Sequence, residues 1–366
     1  MKVIIIMPLA EQKGGAELML LQLMQKGINK GIDWFVIFLE KGSMVEQVRS
    51  LGIKTKVINA GRLRNFFKLI STIIKIKHIA KKEKADLIFS WMGKAHLYGG
   101  LAGILSGISS VWYNLGISNK KGVMDIIPTL IPSKLILTCS KLGSKTQSKI
   151  WPKRNIKVVY PAVELERFDN SKLLTPSKIR KKLNLPDKSP VIGIIGRLQK
   201  WKGIHVLIKS MPHILKKYPE ACCVIIGGKH NLEQAYPRYL KKIIDELKLK
   251  NKVILAGFQK NIHEWTQALD IVVHASDNEP FGIVILEAMD LGKPVVAGDK
   301  GGPKEIITEE VNGLFAPYGN AKILANQILR YLDDPKFAKK IGEAAQKRAR
   351  DFSLNNYVNN IIEALK

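Results

Sequence analysis

IVVHASDNEPFGIVILEAMDLGKPVVA, residues 271–297, contains a strand, a loop, a helix and a second strand in one short stretch. Ile271–His274 is a short β-branched apolar run, and Ser276, Asp277, Asn278, Pro280 and Gly282 are turn formers. IVILEAMD then has helix composition, Gly292 suits a helix C-terminus, and Pro294–Ala297 is a second apolar run. Two short runs without polar alternation, joined through a helix, predict neighbouring strands of a parallel sheet covered on both faces.

Outward from this unit the pattern repeats along most of the chain. Upstream in the second half, Val191–Ile195, Ala221–Ile226 and Lys252–Ala256 read as strands separated by helix-length segments. In the first half the strands are Val3–Met7, Trp34–Leu39, Lys56–Ile58, Leu87–Ser90, Ser110–Tyr113, Leu135–Cys139 and Lys157–Val159, with helices such as Ala16–Lys26 and Phe66–Lys82. PAVELERFDNSKLLTPSKIRKKLNLPDKSP, 161–190, lacks a strong strand, and the pattern restarts after it. The expected fold class is therefore α/β: two Rossmann-like doubly wound domains, 1–163 and 164–352, facing across a cleft. Ligands of such sheets bind beyond the carboxyl ends of the strands, so the loops after strands are where chemistry is sought.

A chain of 366 residues suits two domains, and 46% apolar content is ordinary for a globular protein. The formal net charge is +28, and residues 1–157 hold 26 Lys and Arg against 8 Asp and Glu. The first lobe is accordingly the expected face toward an anionic partner. MKVIIIMPLA lacks the h-region and cleavage site of a signal peptide and reads as a buried first strand. Cys139, Cys222 and Cys223 form neither a metal-ligand spacing nor a disulfide framework, which fits a reducing, cytoplasmic setting.

Four loops after strands carry the candidate chemistry. In AEQKGGAE, Gly14 and Gly15 precede a helix whose free N–H groups suit an anion, although a glycine pair there also serves simply as a turn. In GRLQKWKG, 196–203, Arg197 and Lys202 are placed to converge on one phosphate group, though two solvated surface cations are the alternative. In the opening stretch, Pro280 and Gly282 hold a turn with Glu279 on the loop and Glu287 within the helix. The N–H groups of Phe281, Gly282 and Ile283 are directed toward the same anion. GDKGGPKEII, with Pro303 at a helix start, reads equally as a further pocket wall or as a good helix N-terminus.

These residues resemble a known family. GGAE, GRLQKWKG, EPFGIVILE with AMDLGKPVVA behind it, and GGPKEII are similar to the motifs of the retaining glycosyltransferases of family 4, with GT-B architecture and an E-x7-E motif. PAVELERF is similar to the segment entering the second domain, and DFSLNNYVNNIIEALK to a closing helix, about 353–366, that crosses back to the first. The resemblance implies an acceptor-binding first domain and a second domain that binds a nucleotide-sugar donor, UDP-linked by preference and GDP-linked as the second choice. It implies that Arg197 and Lys202 bind the donor diphosphate, Glu279 the sugar hydroxyls and Glu287 the ribose. Backbone N–H groups of Phe281, Gly282 and Ile283 would complete the donor site, with Gly14 and Gly15 closing from the other lobe. Carboxylates suit paired hydroxyl donors because they only accept. Neither a metal nor a cofactor is called for, the nucleotide-sugar being a substrate. On the acceptor side stand Asn114 and His96, the latter expected on a loop. Many relatives carry a histidine where this chain has Leu115, which puts a histidine role at that position in doubt.

Residues 62–84, RLRNFFKLISTIIKIKHIAKKEK, hold eight Lys and Arg and one acid. Leu63, Phe66, Phe67, Ile70, Ile73 and Ile74 fall at helical spacing, so one apolar face is flanked by cations. That face either lies on an anionic membrane, as the resemblance implies for a lipid-linked glycan, lipopolysaccharide or polysaccharide acceptor, or packs on the sheet. A nucleotide-sugar epimerase or a phosphorylase is the nearest rival function. A nucleic-acid-binding protein is the distant one, with charge alone in its favour, and no nucleic-acid partner is expected.

Overall fold

This computed structural model describes all residues except 13, 152, 163, 165–174 and 231–232. Residue 163, at the expected domain boundary, and most of PAVELERF lie outside the described residues. The chain divides into two units, Met1–Ala162 with Leu354–Lys366, and Val163–Ser353.

The first unit alternates β1 (Lys2–Met7), α1 (Gly15–Gly27), β2 (Asp33–Phe38), α2 (Ser43–Ser50), β3 (Lys54–Val57), α3 (Phe66–Lys82), β4 (Leu87–Trp91), α4 (Met92–Ser106), β5 (Ser109–Asn114), α5 (Val123–Leu130), β6 (Leu135–Thr138), α6 (Lys141–Ser148) and β7 (Ile156–Val158). Among the described residues its seven strands are parallel in the order β3-β2-β1-β4-β5-β6-β7. Ile4 and Ile6 of β1, Phe35 and Ile37 of β2 and Ile88 of β4 pack against Ile73, Ile76 and Ala80 of α3 and Ala95, Tyr98 and Ala102 of α4.

The second unit continues with α7 (Pro176–Lys182), β8 (Val191–Ile195), α8 (Ile204–Leu215), β9 (Cys222–Ile226), α9 (Tyr236–Glu246), β10 (Val253–Gly257), α10 (Ile262–Ala268), β11 (Ile271–His274), α11 (Ile283–Asp290), β12 (Val295–Gly298), α12 (Pro303–Ile306), β13 (Leu314–Ala316), α13 (Ala321–Asp333) and α14 (Pro335–Ala349). Its strands, again parallel, run β10-β9-β8-β11-β12-β13. The order reverses between β8 and β11, the place where ligands of doubly wound sheets bind. β13 escapes a sequence reading because three residues between Gly313 and Pro317 are too few to show a period. α11 ends as its sequence predicts. Gly292 adopts the left-handed conformation, its N–H donates to Met289 O, and that of Lys293 donates to Ala288 O.

The last helix, α15 (Leu354–Leu365), belongs to the first unit. It buries Leu354, Tyr357, Val358, Ile361, Ile362 and Leu365, the aliphatic ones each worth about 1.5–3 kcal/mol of transfer out of water. Lys30 Nζ donates to Asn359 Oδ1 at 2.8 Å, and Lys157 pairs with Glu363 at 3.0 Å.

The basic segment 62–84 is resolved by packing into two faces rather than one. Thr72, Ile73, Ile76 and Ala80 turn to the core, whereas Phe66 and Phe67 are 64% and 85% exposed, with Ile70 and Ile74 beside them. The sequence reading merged Ile73 with the exposed row because adjacent helical positions differ by only about 100° of rotation. Among the described residues no helix is long and apolar enough to cross a membrane, and the three cysteines are buried and form no disulfide.

Candidate active site

In the second unit the loops after β8, β11 and β12 are laced together at the switch point. The N–H of Asp277, after β11, donates to Trp201 O in the loop after β8 at 2.8 Å. Gly203 ends that loop at φ 71°, and a Cβ there would lie 2.0 Å from the Ala275 carbonyl oxygen. Only glycine permits this approach, which brings the start of α8 against the end of β11. On the other side Glu279 forms a parallel bridge with Gly301, and the N–H of Gly302 donates to Glu279 O at 2.8 Å. Gly301 sits at φ 82°, where a Cβ would fall 2.4 Å from the same carbonyl oxygen. GDKGGP thus does more than start a helix. α12 is only four residues long, and the glycine pair holds the backbone of Glu279.

The side chain of Glu279 is held as firmly. Lys202 Nζ donates to Glu279 Oε2 at 2.5 Å, and the two side chains are 15% and 12% exposed. His274, the last residue of β11, brings Nε2 within 3.1 Å of the same oxygen. A carboxylate only accepts, so the His274 nitrogen facing it carries the proton. Burial by itself would raise the Glu279 carboxyl, but the charge of Lys202 and the hydrogen bond from His274 outweigh it and hold the group well below the usual carboxylate range. The ammonium also lies 4.1 Å from the centre of the Trp201 ring, which shields one side of it.

The remaining residues singled out from sequence fall into three groups. Arg197 is exposed on the loop after β8, and the described residues give it no carboxylate partner, whereas Lys202 on the same loop is paired with Glu279. Glu287 is half-buried in α11, and the Phe281 ring is buried against Phe352 at 5.6 Å, so only the backbone of Phe281 is available to a ligand. Gly282 caps α11 at φ 108°, and Ile283 opens it, so the first N–H groups of this helix lack intrahelical acceptors.

In the first unit Gly14 caps α1 in an extended conformation and Gly15 opens it, beyond the end of β1. His96 is corrected from a loop to the interior of α4. It is fully buried, its ring is stacked on Trp112 at 5.2 Å, and burial pushes its pKa down to about 4. A fully enclosed ring has no surface to offer an acceptor in this conformation. Asn114, at the end of β5, donates to Ser118 Oγ at 2.8 Å and Gln147 Oε1 at 3.0 Å, and accepts from the N–H of Gly116 at 3.1 Å. Those bonds occupy both of its donors and shape the turn that carries Leu115.

Residues 176–348 match the family described as Glycosyl transferases group 1. The whole chain is similar to Anabaena HepE, solved in complex with UDP and glucose: 26% identical, TM-score 0.89, covering 100% of this chain and 99% of that one. It is 31% identical over 237 residues to an uncharacterized glycosyltransferase of Methanocaldococcus jannaschii, covering 63% of this chain and 59% of that protein. It is 30% identical over 215 residues to the D-inositol 3-phosphate glycosyltransferase of Corynebacterium urealyticum, covering 58% of this chain and 51% of that protein. The aligned part thus spans about half to three-fifths of these two curated relatives. The matches support a glycosyltransferase, and the two parallel Rossmann-like sheets are those of the GT-B class.

His274 is the residue that sequence reading missed. The signal was present, since a titratable side chain closes the otherwise apolar run IVVH just before Glu279. It passed for a strand end because nothing in the linear order says which side of the sheet its ring takes.

Proposed function

We propose that this chain is a retaining glycosyltransferase that moves a sugar from a nucleotide-sugar donor to a lipid-linked glycan, lipopolysaccharide or other polysaccharide precursor. The observation that carries the reading is the Lys202–Glu279 pair at the switch point of a sheet within the matched segment. In this reading Lys202 and Arg197 bind the donor diphosphate and offset the charge that develops on the leaving group, so the scheme needs no metal ion. Glu279 accepts from sugar hydroxyls, Glu287 from the ribose, and the N–H groups at Phe281–Ile283 face the phosphates. The likeness to HepE favours a UDP-sugar, with a GDP-sugar second. The first unit takes the acceptor.

A thermal-shift panel of UDP- and GDP-sugars tests this reading. A ligand that binds only the folded state adds about 2.7 kcal/mol at a hundredfold excess over its Kd, so a donor present at that excess should raise Tm by several degrees. No shift with any member of the panel would sink the proposal. Isomerisation of the donor without an acceptor would transfer the assignment to an epimerase.

An anionic membrane surface, on the cytoplasmic side, is the proposed partner of the first unit. Phe66, Phe67, Ile70 and Ile74 are exposed among Arg62, Arg64, Lys68 and Lys75. α3 packs on α4 and α4 on α5, whose Val123, Ile127 and Leu130 are exposed as well, so the apolar rows belong to one helical layer. The expected result is co-sedimentation with phosphatidylglycerol vesicles that weakens in high salt and falls in Phe66→Ser/Phe67→Ser. Equal pelleting with neutral phosphatidylcholine vesicles would remove the electrostatic part of the proposal.

A further inference from the structure

We infer that His274 is a positioning residue, the dedicated partner that keeps the Glu279 carboxylate aimed at the donor sugar when the donor phosphates draw on Lys202. The inference rests on the proposed donor site and adds to it a residue and a division of labour.

The geometry is specific. Lys202 Nζ and His274 Nε2 both reach Glu279 Oε2, at 2.5 and 3.1 Å, and neither contact uses Oε1. One oxygen is therefore clamped while the other can accept from a hydroxyl. Lys202 has a flexible four-carbon stem and is the member of the pair that a diphosphate can recruit. His274 cannot follow, because its ring is 3% exposed and closes a strand paired on both sides. Its Nδ1 is buried without a hydrogen-bond partner among the described residues, so the only polar contact the ring makes there is to Glu279. A buried ring that leaves one nitrogen unsatisfied is costly, and the bond to Glu279 is what the position returns for that cost. The backbone of Glu279 is fixed separately, through Gly301 and Gly302, so His274 governs the rotamer of the carboxylate rather than the path of the loop.

The test compares wild type, His274→Ala and His274→Gln for UDP binding by calorimetry and for glucose release from UDP-glucose. The wild type decides the underlying reading: if it binds neither UDP nor GDP and releases sugar from no UDP- or GDP-sugar, the donor-site proposal fails and this inference fails with it; if it uses a donor other than UDP-glucose, that donor and its nucleotide replace UDP-glucose and UDP in the comparison. Given an active wild type, the expected result is that His274→Ala binds UDP within about 3-fold of wild type, because UDP carries no sugar for Glu279 to meet. Its kcat for glucose release should fall roughly 10–100-fold, the scale of a misplaced catalytic group. His274→Gln, which offers an N–H near the position of Nε2, should recover most of that loss. Unchanged kcat in His274→Ala would overturn the inference. So would parallel loss of UDP binding and Tm in both variants, which would make the histidine a packing residue only.

Discussion

Lys202→Ala is expected to lower sugar transfer by about 100–1,000-fold, the range seen when a single preorganised group that stabilises developing negative charge is removed. The same substitution leaves the Glu279 carboxylate buried with only His274 beside it, and stranding one member of a buried pair costs about 3–5 kcal/mol of stability. The two effects are separable. In the double variant Lys202→Ala/Glu279→Gln neither buried charge remains, so much of the lost stability should return while transfer stays at least as low as in Lys202→Ala. Denaturant midpoints and initial rates on the two single variants and the double variant complete the cycle. If transfer recovered along with stability, Lys202 would be a structural cation and its proposed role at the diphosphate would be lost.

Glu279→Gln is expected to cost transfer on a similar scale, and it makes a pH signature that the wild type alone cannot reveal. The folded carboxyl is held below its ordinary value of 4.5. A carboxyl whose folded pKa is depressed contributes stability that is fully present above its unfolded pKa and is lost as pH falls from there toward the folded pKa. The stability gap between wild type and Glu279→Gln should therefore be constant near neutrality and close progressively as pH falls below about 4.5. Urea midpoints at neutral pH and at pH values on either side of the unfolded carboxyl pKa measure it. A gap that ignores pH would show that the charge on Glu279 is not what Lys202 and His274 stabilise.

The two predictions also explain why the sequence reading of the site was incomplete. Arg197, Lys202, Glu279 and Glu287 stand out in the chain because charged residues beside glycines, at the ends of apolar runs, have few structural uses. Their mutual arrangement does not stand out. The pairing of Lys202 with Glu279 was not foreseen from the order of residues, and Arg197 on the same loop is exposed. His96, in WMGKAHLYGG, was expected on a loop. In the structure the strand passes straight into α4 at Met92, which takes φ 73°, and His96 is carried inside against Trp112. A single non-glycine residue in the left-handed region joins strand to helix there with no intervening loop, and no local pattern announces it.

The sequence by itself determined the two parallel sheets, because strands covered on both faces must be apolar throughout and the helices between them must carry one apolar stripe. It also determined which loops bear charge and which helix ends are glycine-bounded. Tertiary structure alone decided that Ile73 faces inward while Phe66 and Phe67 face out, that Gly301 and Gly302 grip the backbone of Glu279, and that His274 and Lys202 share one carboxylate oxygen. The physical reason is that the first set follows from period and composition within a segment. The second depends on close approach between loops far apart in the chain, where a Cβ, a carbonyl oxygen or a ring nitrogen a few ångströms away settles the outcome.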